Sequence, residues 1–161
     1  MWDYSKIDKP TPYWGDETYR KAIEFLDGPG LLEDWGCGTT YAKKFVKTAT
    51  YVGVDSSPSK FNDVTDTLST RYSFPDFILM RHVLEHNYNW KAILKNALRS
   101  FQERMCFVIF TPFSNITHEI AYHYDIGVPD LSFRKGDLTD LFPEGWTEET
   151  VGPEHLFYLT L

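Results

Sequence analysis

Residues 31–45 read LLEDWGCGTTYAKKF, and this stretch decides the fold class. An apolar run leads into Asp34, the turn Gly36-Cys37-Gly38 follows, and a run with helical spacing comes after the turn. Glycine allows a positive φ and lets the backbone approach a ligand closely, so a glycine turn between a strand and a helix is typical of a nucleotide-like cofactor site. The alternative is that the two glycines only form a tight turn.

Helices and strands alternate on both sides of this turn. The spacing of apolar residues predicts their boundaries. The predicted helices cover residues 16–26, 41–47, 90–101 and 135–142. The predicted strands cover residues 31–35, 51–55, 77–80, 105–110, 146–151 and 155–161, with a less visible strand within residues 62–68. Such alternation implies a mostly parallel sheet with right-handed crossovers, and the last two strands are close enough to pair as an antiparallel hairpin.

The composition is that of a single globular domain. The chain has 161 residues, of which 42% are hydrophobic and 17% aromatic, enough for a sizeable core without disulfides. No apolar run approaches the roughly 20 residues that a bilayer span needs, and the N-terminus lacks the apolar core of a secretory signal. The two cysteines, Cys37 and Cys106, are far apart, which predicts reduced thiols, a cytoplasmic location and no membrane association. The net charge of −7 argues against a protein that tracks nucleic-acid phosphates.

The residues around the turn distinguish between cofactors. The second strand ends at Asp55, 17 residues after Gly38, close to the interval at which an acid accepts hydrogen bonds from ribose hydroxyls. The dinucleotide fingerprint needs a third small residue, and Tyr41 stands in its place. NAD and FAD therefore fit poorly, and ATP or GTP is not expected because the P-loop lysine is missing.

The same residues resemble the class I S-adenosylmethionine-dependent methyltransferases. The first motif of that family, apolar-apolar-acid-x-Gly-x-Gly-x-Gly, matches LLEDWGCGTT through Gly38 and departs at Thr40, where the family usually has a third glycine. Its acid at the end of the second strand matches Asp55, and its fourth-strand signature matches DFILMRHVLEH, residues 76–86. The resemblance runs from residue 31 to 112 and more loosely to the end. It implies a three-layer α/β fold, doubly wound around a mostly parallel seven-stranded sheet with a C-terminal antiparallel hairpin, the Rossmann-like methyltransferase fold.

The resemblance also implies that S-adenosylmethionine is the cofactor. The residues expected to bind it are Asp34, Gly36, Cys37, Gly38, Asp55, Ser56, Ser57, Asp66, Arg81 and His82. The glycine turn would form the floor under the methionine part, whose ammonium group would be drawn to Asp34. Asp55 would take the ribose hydroxyls, with the two serines after it beside the adenosine. Asp66, favoured over Asp63, would contact the adenine amino group.

His82 is the candidate catalytic residue. Arg81 and His82 follow the fourth strand, where they would line the methyl-donor end. The sulfonium is already a strong electrophile, so the protein's main task is to hold donor and acceptor in line. A base matters only if the acceptor must lose a proton, and its pKa should then lie near the working pH. The alternative for His82 is that it only caps its loop.

No metal site is predicted. The stretch HVLEH, residues 82–86, offers two histidines without an evident third ligand. The histidines of HEIAYH, residues 118–123, are five positions apart and would not share one helix face, as the zinc-protease motif requires.

The implied function is transfer of a methyl group to an oxygen or nitrogen acceptor, a small molecule first and a protein side chain second. Nucleic-acid acceptors are not expected, because no Asn/Asp-Pro-Pro-aromatic tetrad follows the fourth strand and neither cysteine follows a proline. Two rival hypotheses stay open: a non-catalytic S-adenosylmethionine-binding module that regulates or completes a partner enzyme, and a fold relative that consumes the cofactor without methyl transfer. An NAD-dependent oxidoreductase fits less well.

The predicted domain, residues 1–161, divides into three parts. Residues 1–29 form an N-terminal segment and helix, residues 30–112 the cofactor-binding core, and residues 113–161 a substrate-side segment and the closing strands. Aromatic residues concentrate in residues 2–19 and 113–133, which either contact a substrate or pack over the core. Neither segment is large enough for a cap domain, so the site suits a larger acceptor, a homodimer or a partner subunit.

Overall fold

Seven strands form one mixed sheet in the computed structural model, which describes residues 2–161. The strands of the chain are β1 (Leu31–Trp35), β2 (Thr50–Asp55), β3 (Val64–Thr65), β4 (Phe77–Arg81), β5 (Arg104–Ile109), β6 (His118–His123), β7 (Val128–Ser132), β8 (Thr147–Val151) and β9 (Glu154–Thr160). The α-helices are α1 (Glu17–Leu26), α2 (Trp90–Ser100) and α3 (Lys135–Thr139). The strand order is β3-β2-β1-β4-β5-β9-β8. The first five of these strands pair in parallel, whereas β9 is antiparallel to β5 and β8, which confirms the predicted fold class.

The central strands are buried on both faces, as expected in the middle of a parallel sheet. Every residue of β4 is buried. Its side chains alternate between two cores, because Phe77 and Leu79 pack with α1 while Ile78 and Met80 pack with α2. The two helices therefore cover opposite faces, and the protein has three layers. The apolar spacing that predicted both helices is the spacing that each one buries.

A crevice lies where the strand order reverses. From β1 the chain moves outward to β2 and β3, and then crosses back so that β4 pairs with the other side of β1. The loops that follow β1 and β4 therefore start at adjacent strand ends and lead to opposite sides of the sheet. Open α/β sheets bind their ligands at this place.

The predicted helix at residues 41–47 is wrong in type and length. The structure has a 3-10 helix at Tyr41–Phe45. The carboxylate of Asp27 accepts hydrogen bonds from the three backbone N–H groups of residues 47–49, at 3.1, 2.9 and 2.8 Å. These bonds hold the chain extended before β2 and prevent a longer helix.

The edge of the sheet beyond β2 has little regular structure. Residues 56–76 contain only the two-residue strand β3. They are rich in serine, proline, asparagine and aspartate, whose side chains favour turns over helices. No helix within residues 2–161 is long and apolar enough to cross a membrane.

Residues 113–133 contain a hairpin that was not predicted. β6 pairs antiparallel with β7, with an irregular register between Glu119 and Ala121. All six residues of β6 are exposed, so its sequence lacks the alternation that indicates a half-buried strand. β7 is the anchored partner, because Leu131 is only 4% exposed and joins the core beside α2.

Candidate active site

A cleft that is open to solvent lies at the strand ends described above, and it encloses about 790 Å³ of space when the adjoining solvent is included. Most of the predicted cofactor residues line it: Asp34, Gly36, Cys37, Gly38, Asp55, Ser56, Arg81 and His82. The other two predicted residues, Ser57 and Asp66, do not line the cleft. Ser57 is buried, and Asp66 is described below. The structure therefore brings together residues from three separate loops.

The two glycines of the turn have different structural roles. Gly36 has φ +77°, and a Cβ atom there would lie 2.4 Å from a methyl carbon of Val83. Gly38 has φ +54°, but the protein atom nearest to its missing Cβ is the Tyr4 hydroxyl oxygen, at 3.5 Å. Gly36 is therefore required for packing, whereas the space beside Gly38 belongs to the cleft.

Thr40, where the methyltransferase motif usually has glycine, adopts the glycine-like conformation. Its φ is +56°, in the left-handed region that most residues avoid. Its N–H donates to the Cys37 carbonyl at 2.8 Å, and its hydroxyl donates to the Thr39 carbonyl at 2.7 Å. Its methyl group lies 2.8 Å from the position of a Cβ on Gly53, so a glycine in β2 makes room for it. The departure in sequence leaves the shape of the turn unchanged.

Asp55 is held rigidly at the end of β2. One carboxylate oxygen accepts the Ser57 N–H at 2.8 Å, and the other accepts the Gly38 N–H at 3.0 Å. The Tyr4 hydroxyl donates to the same carboxylate. Burial raises the pKa of Asp55, although these hydrogen bonds oppose the rise. A carboxylate that is fixed in this way can accept hydrogen bonds from a diol at the cleft.

Asp34 lies deeper in the cleft and is 4% exposed. Its carboxylate accepts a hydrogen bond from the Tyr51 hydroxyl at 2.5 Å. Burial raises the pKa of Asp34 to about 7, and the charge of Asp55 adds to the rise, while the Tyr51 hydrogen bond and Arg81 oppose it. Asp34 is therefore a carboxyl group that a cation would help to ionise. Sequence reasoning missed Tyr51, which lies 17 positions from Asp34.

Cys37 is buried beside these carboxylates and lines the cleft. Burial raises the pKa of its thiol, and the charges of nearby carboxylates raise it further. The thiol is therefore neutral at physiological pH and contributes shape to the site. Among residues 2–161, no group of three or more His, Cys, Asp and Glu side chains is placed to hold a metal ion.

Asp66 follows β3, as predicted, but it does not line the cleft. Its carboxylate pairs with Arg71 at 3.0 Å, and the same guanidinium binds the buried Glu33 at 2.6 Å. Asp63 accepts the Gly53 N–H at 2.8 Å. Both acids are therefore engaged within the protein, and their geometry gives no support to a contact with adenine.

Arg81 and His82 share a carboxylate that sequence reasoning missed. Glu154, at the start of β9, accepts hydrogen bonds from Arg81 Nη2 and His82 Nε2, each at 2.6 Å. Its second oxygen accepts the Thr18 hydroxyl at 3.0 Å. The contacts join the end of β4 to the closing hairpin, across 73 positions of sequence for Arg81. No local sequence pattern signals a contact between such distant positions.

The environment of His82 restricts its chemistry. Its φ is +56°, and burial lowers the pKa of its imidazole to about 4, so the ring is neutral at pH 7. With Nε2 bound to Glu154, its Nδ1 is the remaining proton acceptor and lies 3.4 Å from Arg81 Nη1. The geometry fits a ring that Glu154 and Arg81 orient toward the cleft.

The N-terminal segment covers the cleft. Trp2, Tyr4 and Tyr13 all line it. The segment is tied down by Thr11, whose N–H donates to the Thr39 hydroxyl oxygen at 3.0 Å and whose carbonyl accepts that hydroxyl at 3.1 Å. The aromatic residues of the N-terminus therefore form part of the site.

Comparisons with known proteins agree with this architecture. No protein-family model matches the chain, and no curated protein matches it either. Its structure is similar to that of 1,6-didemethyltoxoflavin-N1-methyltransferase from Burkholderia thailandensis, which was solved with S-adenosylhomocysteine (TM-score 0.69, 13% identity, 90% of this chain and 78% of that one). It is also similar to magnesium protoporphyrin IX methyltransferase from Synechocystis, solved with the same product (TM-score 0.63, 13% identity, 89% and 81%). An S-adenosylmethionine-dependent methyltransferase from Mesorhizobium loti gives a TM-score of 0.56 at 11% identity and covers 88% and 95%.

The chain has the class I methyltransferase fold. Sequence identities of 11–13% support this conclusion for the fold alone. In this structure the glycine turn, Asp34 and Asp55 lie at the carboxyl ends of β1 and β2.

Proposed function

We propose that the chain binds S-adenosylmethionine in the cleft and transfers its methyl group to an oxygen or nitrogen atom of a small molecule. The observation that carries the proposal is the pair of buried carboxylates beside Gly38. Asp55 is oriented to accept hydrogen bonds from ribose hydroxyls, and Asp34 is poised to ionise against an ammonium group. Two of the similar structures were solved with S-adenosylhomocysteine, the demethylated form of this cofactor.

The residues of the cleft fit a methyl donor that needs no catalytic group of the protein to activate it. When bound, it supplies a methyl carbon on a positively charged sulfur, which keeps the electron pair of the carbon–sulfur bond as the acceptor's lone pair forms the new bond. The protein contributes position and exclusion of water. Arg81 is fixed by Glu154, and His82 lies beside it, so both present a rigid wall at the end of β4. Any proton that leaves the acceptor passes to water, because burial lowers the pKa of His82 to about 4 and its Nδ1 faces the Arg81 guanidinium.

A small-molecule acceptor is supported by two lines of argument. The similar structures named above are methyltransferases of a toxoflavin precursor and of magnesium protoporphyrin IX. The chain's net charge of −7 gives no electrostatic drive toward a polyanion.

The two cysteines are free and buried, which supports a reducing location such as the cytoplasm.

Isothermal titration tests the proposal. S-adenosylmethionine and S-adenosylhomocysteine should both bind, and Asp55→Ala should weaken both by about 1–3 kcal/mol, the scale of losing hydrogen bonds to a charged group. Asp125→Ala is the matched control, because Asp125 is an exposed aspartate in the β6–β7 turn. Binding of NAD without binding of either ligand would overturn the proposal. Transfer of a labelled methyl group to a component of a small-molecule extract would separate an enzyme from a binding module.

A further inference from the structure

One end of the cleft is built from aromatic rings. Trp2, Tyr13, His82 and His86 all line this end, which we call the ring wall. Trp2 meets Tyr13 and His86 edge to face, with ring centroids 6.2 and 5.4 Å apart. The glycine turn and the two carboxylates line the same cleft. Burial raises the pKa of Tyr13, and the charge of nearby Asp55 adds to the rise. A ligand on the ring wall would therefore adjoin a cofactor held by these groups.

A second layer of rings supports this wall from behind. Phe110 packs against both histidines, with centroids 4.8 Å from His82 and 5.6 Å from His86. Trp14 packs against His82 at 5.9 Å and against Phe110 at 5.4 Å. Trp14 is nevertheless 56% exposed. Edge-to-face packing of this kind fixes ring orientation, so the wall is preformed.

Backbone strain concentrates at the same place. Among residues 2–161, three residues other than glycine have a positive φ, and two of them, Trp14 at +64° and His82 at +56°, pack against each other. Strained conformations persist where the surrounding structure holds them, and they cluster at ligand sites. The two strained residues therefore lie at one end of the cleft, His82 in its lining and Trp14 behind it.

The ring wall carries no unbalanced charge. Arg81, at its base, is neutralised by Glu154 at 2.6 Å. Burial lowers the pKa of His82 to about 4 and also lowers the pKa of His86, so both rings are neutral at pH 7. Asp130 lies 3.1 Å from His86 Nδ1 and is also paired with His123 at 2.9 Å. In the part of the chain that the structure describes, Asp130 Oδ1 accepts no hydrogen bond, but it is buried, so none of these groups offers an exposed, unpaired charge to a ligand.

The histidines of the wall are partly engaged within the protein. His82 Nε2 binds Glu154, and His86 Nδ1 lies 3.0 Å from the Pro129 carbonyl oxygen. The amide of Asn87, which also lines the cleft, donates to the Val83 carbonyl at 2.6 Å. The wall therefore offers a ligand mainly ring faces and edges, with the Trp2 indole N–H, the Tyr13 hydroxyl and His86 Nε2 left for a small number of hydrogen bonds.

We propose that the ring wall binds the methyl acceptor and that the acceptor is an uncharged, flat aromatic molecule with a hydroxyl group or ring nitrogen. That this molecule is the methyl acceptor rests on the proposed function, whereas its binding to the ring wall does not. Trp2 and Tyr13 contact its ring, and its oxygen or nitrogen atom faces the glycine turn. An aromatic cage for a quaternary ammonium ion is the competing use of such rings, and tetramethylammonium is the probe that distinguishes the two.

Probe binding tests this site separately from the cofactor. Naphthol, its saturated counterpart decalinol, and tetramethylammonium are titrated into the whole chain, with and without S-adenosylhomocysteine, and binding is followed by ligand-observed NMR. Naphthol should bind, and decalinol should bind about tenfold more weakly, the scale of one or two aromatic contacts. Trp2→Ala should weaken naphthol about tenfold and leave affinity for S-adenosylhomocysteine within about twofold. Tyr124→Ala, which removes an 89% exposed ring outside the cleft, is the control and should change nothing.

Each outcome supports or overturns the inference. Equal binding of naphthol and decalinol, preferred binding of tetramethylammonium, no binding of naphthol, or equal effects of Trp2→Ala and Tyr124→Ala would each overturn it. If naphthol binds through Trp2 while S-adenosylhomocysteine does not bind at all, the aromatic site stands and the proposed function fails. If only S-adenosylhomocysteine binds, the proposed function stands and the aromatic site fails.

Discussion

Cofactor affinity should depend on pH through Asp34. Burial raises the pKa of this carboxyl to about 7, so it is only half ionised in the free protein near neutral pH. The ammonium group of the cofactor favours the ionised form. Binding below pH 7 must therefore release a proton from Asp34, and the cost of that release weakens binding. The sign is fixed: affinity rises with pH until the carboxyl is already ionised, and it then stays level only as long as the ammonium group of the ligand keeps its own proton.

The size of the effect follows from the pKa. With a pKa of about 7, about one carboxyl in 11 is ionised at pH 6, so affinity there should be about tenfold below its plateau, or about 1.4 kcal/mol. At pH 5 the loss should approach about 100-fold. Above pH 8 the contribution of Asp34 to the dependence should disappear.

Calorimetry measures both the affinity and the proton. S-adenosylhomocysteine is titrated between about pH 5 and pH 8.5 in two buffers with different ionisation enthalpies, which gives the number of protons released. Asp34→Asn should bind weakly at every pH, without this dependence. Tyr51→Phe removes the hydroxyl that donates to Asp34 at 2.5 Å, so it should move the midpoint to higher pH. Tight binding by the unmodified chain that is constant from pH 5 to pH 8, with no proton released, would refute the reasoning.

Four further predictions concern other residues of the site and of the core beside it. Gly38→Val should abolish cofactor binding with a nearly native circular dichroism spectrum, because only the cleft is filled; an unfolded variant would show a structural role instead. Gly36→Ala should lower the midpoint of thermal unfolding, because its Cβ would lie 2.4 Å from a neighbouring methyl group, and an unchanged midpoint would contradict this. Tyr4→Phe should strengthen binding of S-adenosylhomocysteine in titrations, since it frees Asp55 of a competing hydroxyl; weaker binding would mean that Tyr4 assists the ligand. Burial raises the pKa of Glu85 from its usual 4.5 to about 8. Between these pH values the folded state keeps a proton that the unfolded state loses, so the free energy of unfolding falls as pH rises. Glu85→Gln should therefore flatten the pH profile of the urea midpoint, and parallel profiles for the variant and the unmodified chain would contradict this prediction.

The sheet and the helices that cover it could be predicted because each of these elements buries apolar side chains at a regular spacing in the sequence. β4 and β5 are continuous apolar runs, and α1 and α2 carry apolar residues at helical spacing. The glycine turn and Asp55 could be predicted because each lies next to such a strand. The hairpin of β6 could not be predicted, because a strand that buries nothing leaves no pattern to detect.

The supporting residues of the site escaped prediction for a different reason. Glu154 orients His82 from a position 72 residues away, and Tyr51 binds Asp34 across 17 positions. These contacts exist because β2 lies beside β1 in the sheet, and because β9 lies beside β5, one strand away from β4. Their residue types are ordinary at the start of a strand, so only the folded arrangement distinguishes them.

The N-terminal segment supplies a wall that the edge of the sheet does not. Residues 56–76 contain no helix that could enclose the cleft on that side, whereas Tyr4, only 8% exposed, closes over Gly38 and binds Asp55. The hydroxyl of Tyr4 uses the carboxylate that the ribose would need. A ribose at Asp55 would compete with the Tyr4 hydroxyl for this carboxylate, so the Tyr4–Asp55 interaction and the proposed binding of the cofactor oppose each other, and the coupling is reciprocal. The carboxyl ends of the strands place the site, and the aromatic residues of the N-terminal segment line it.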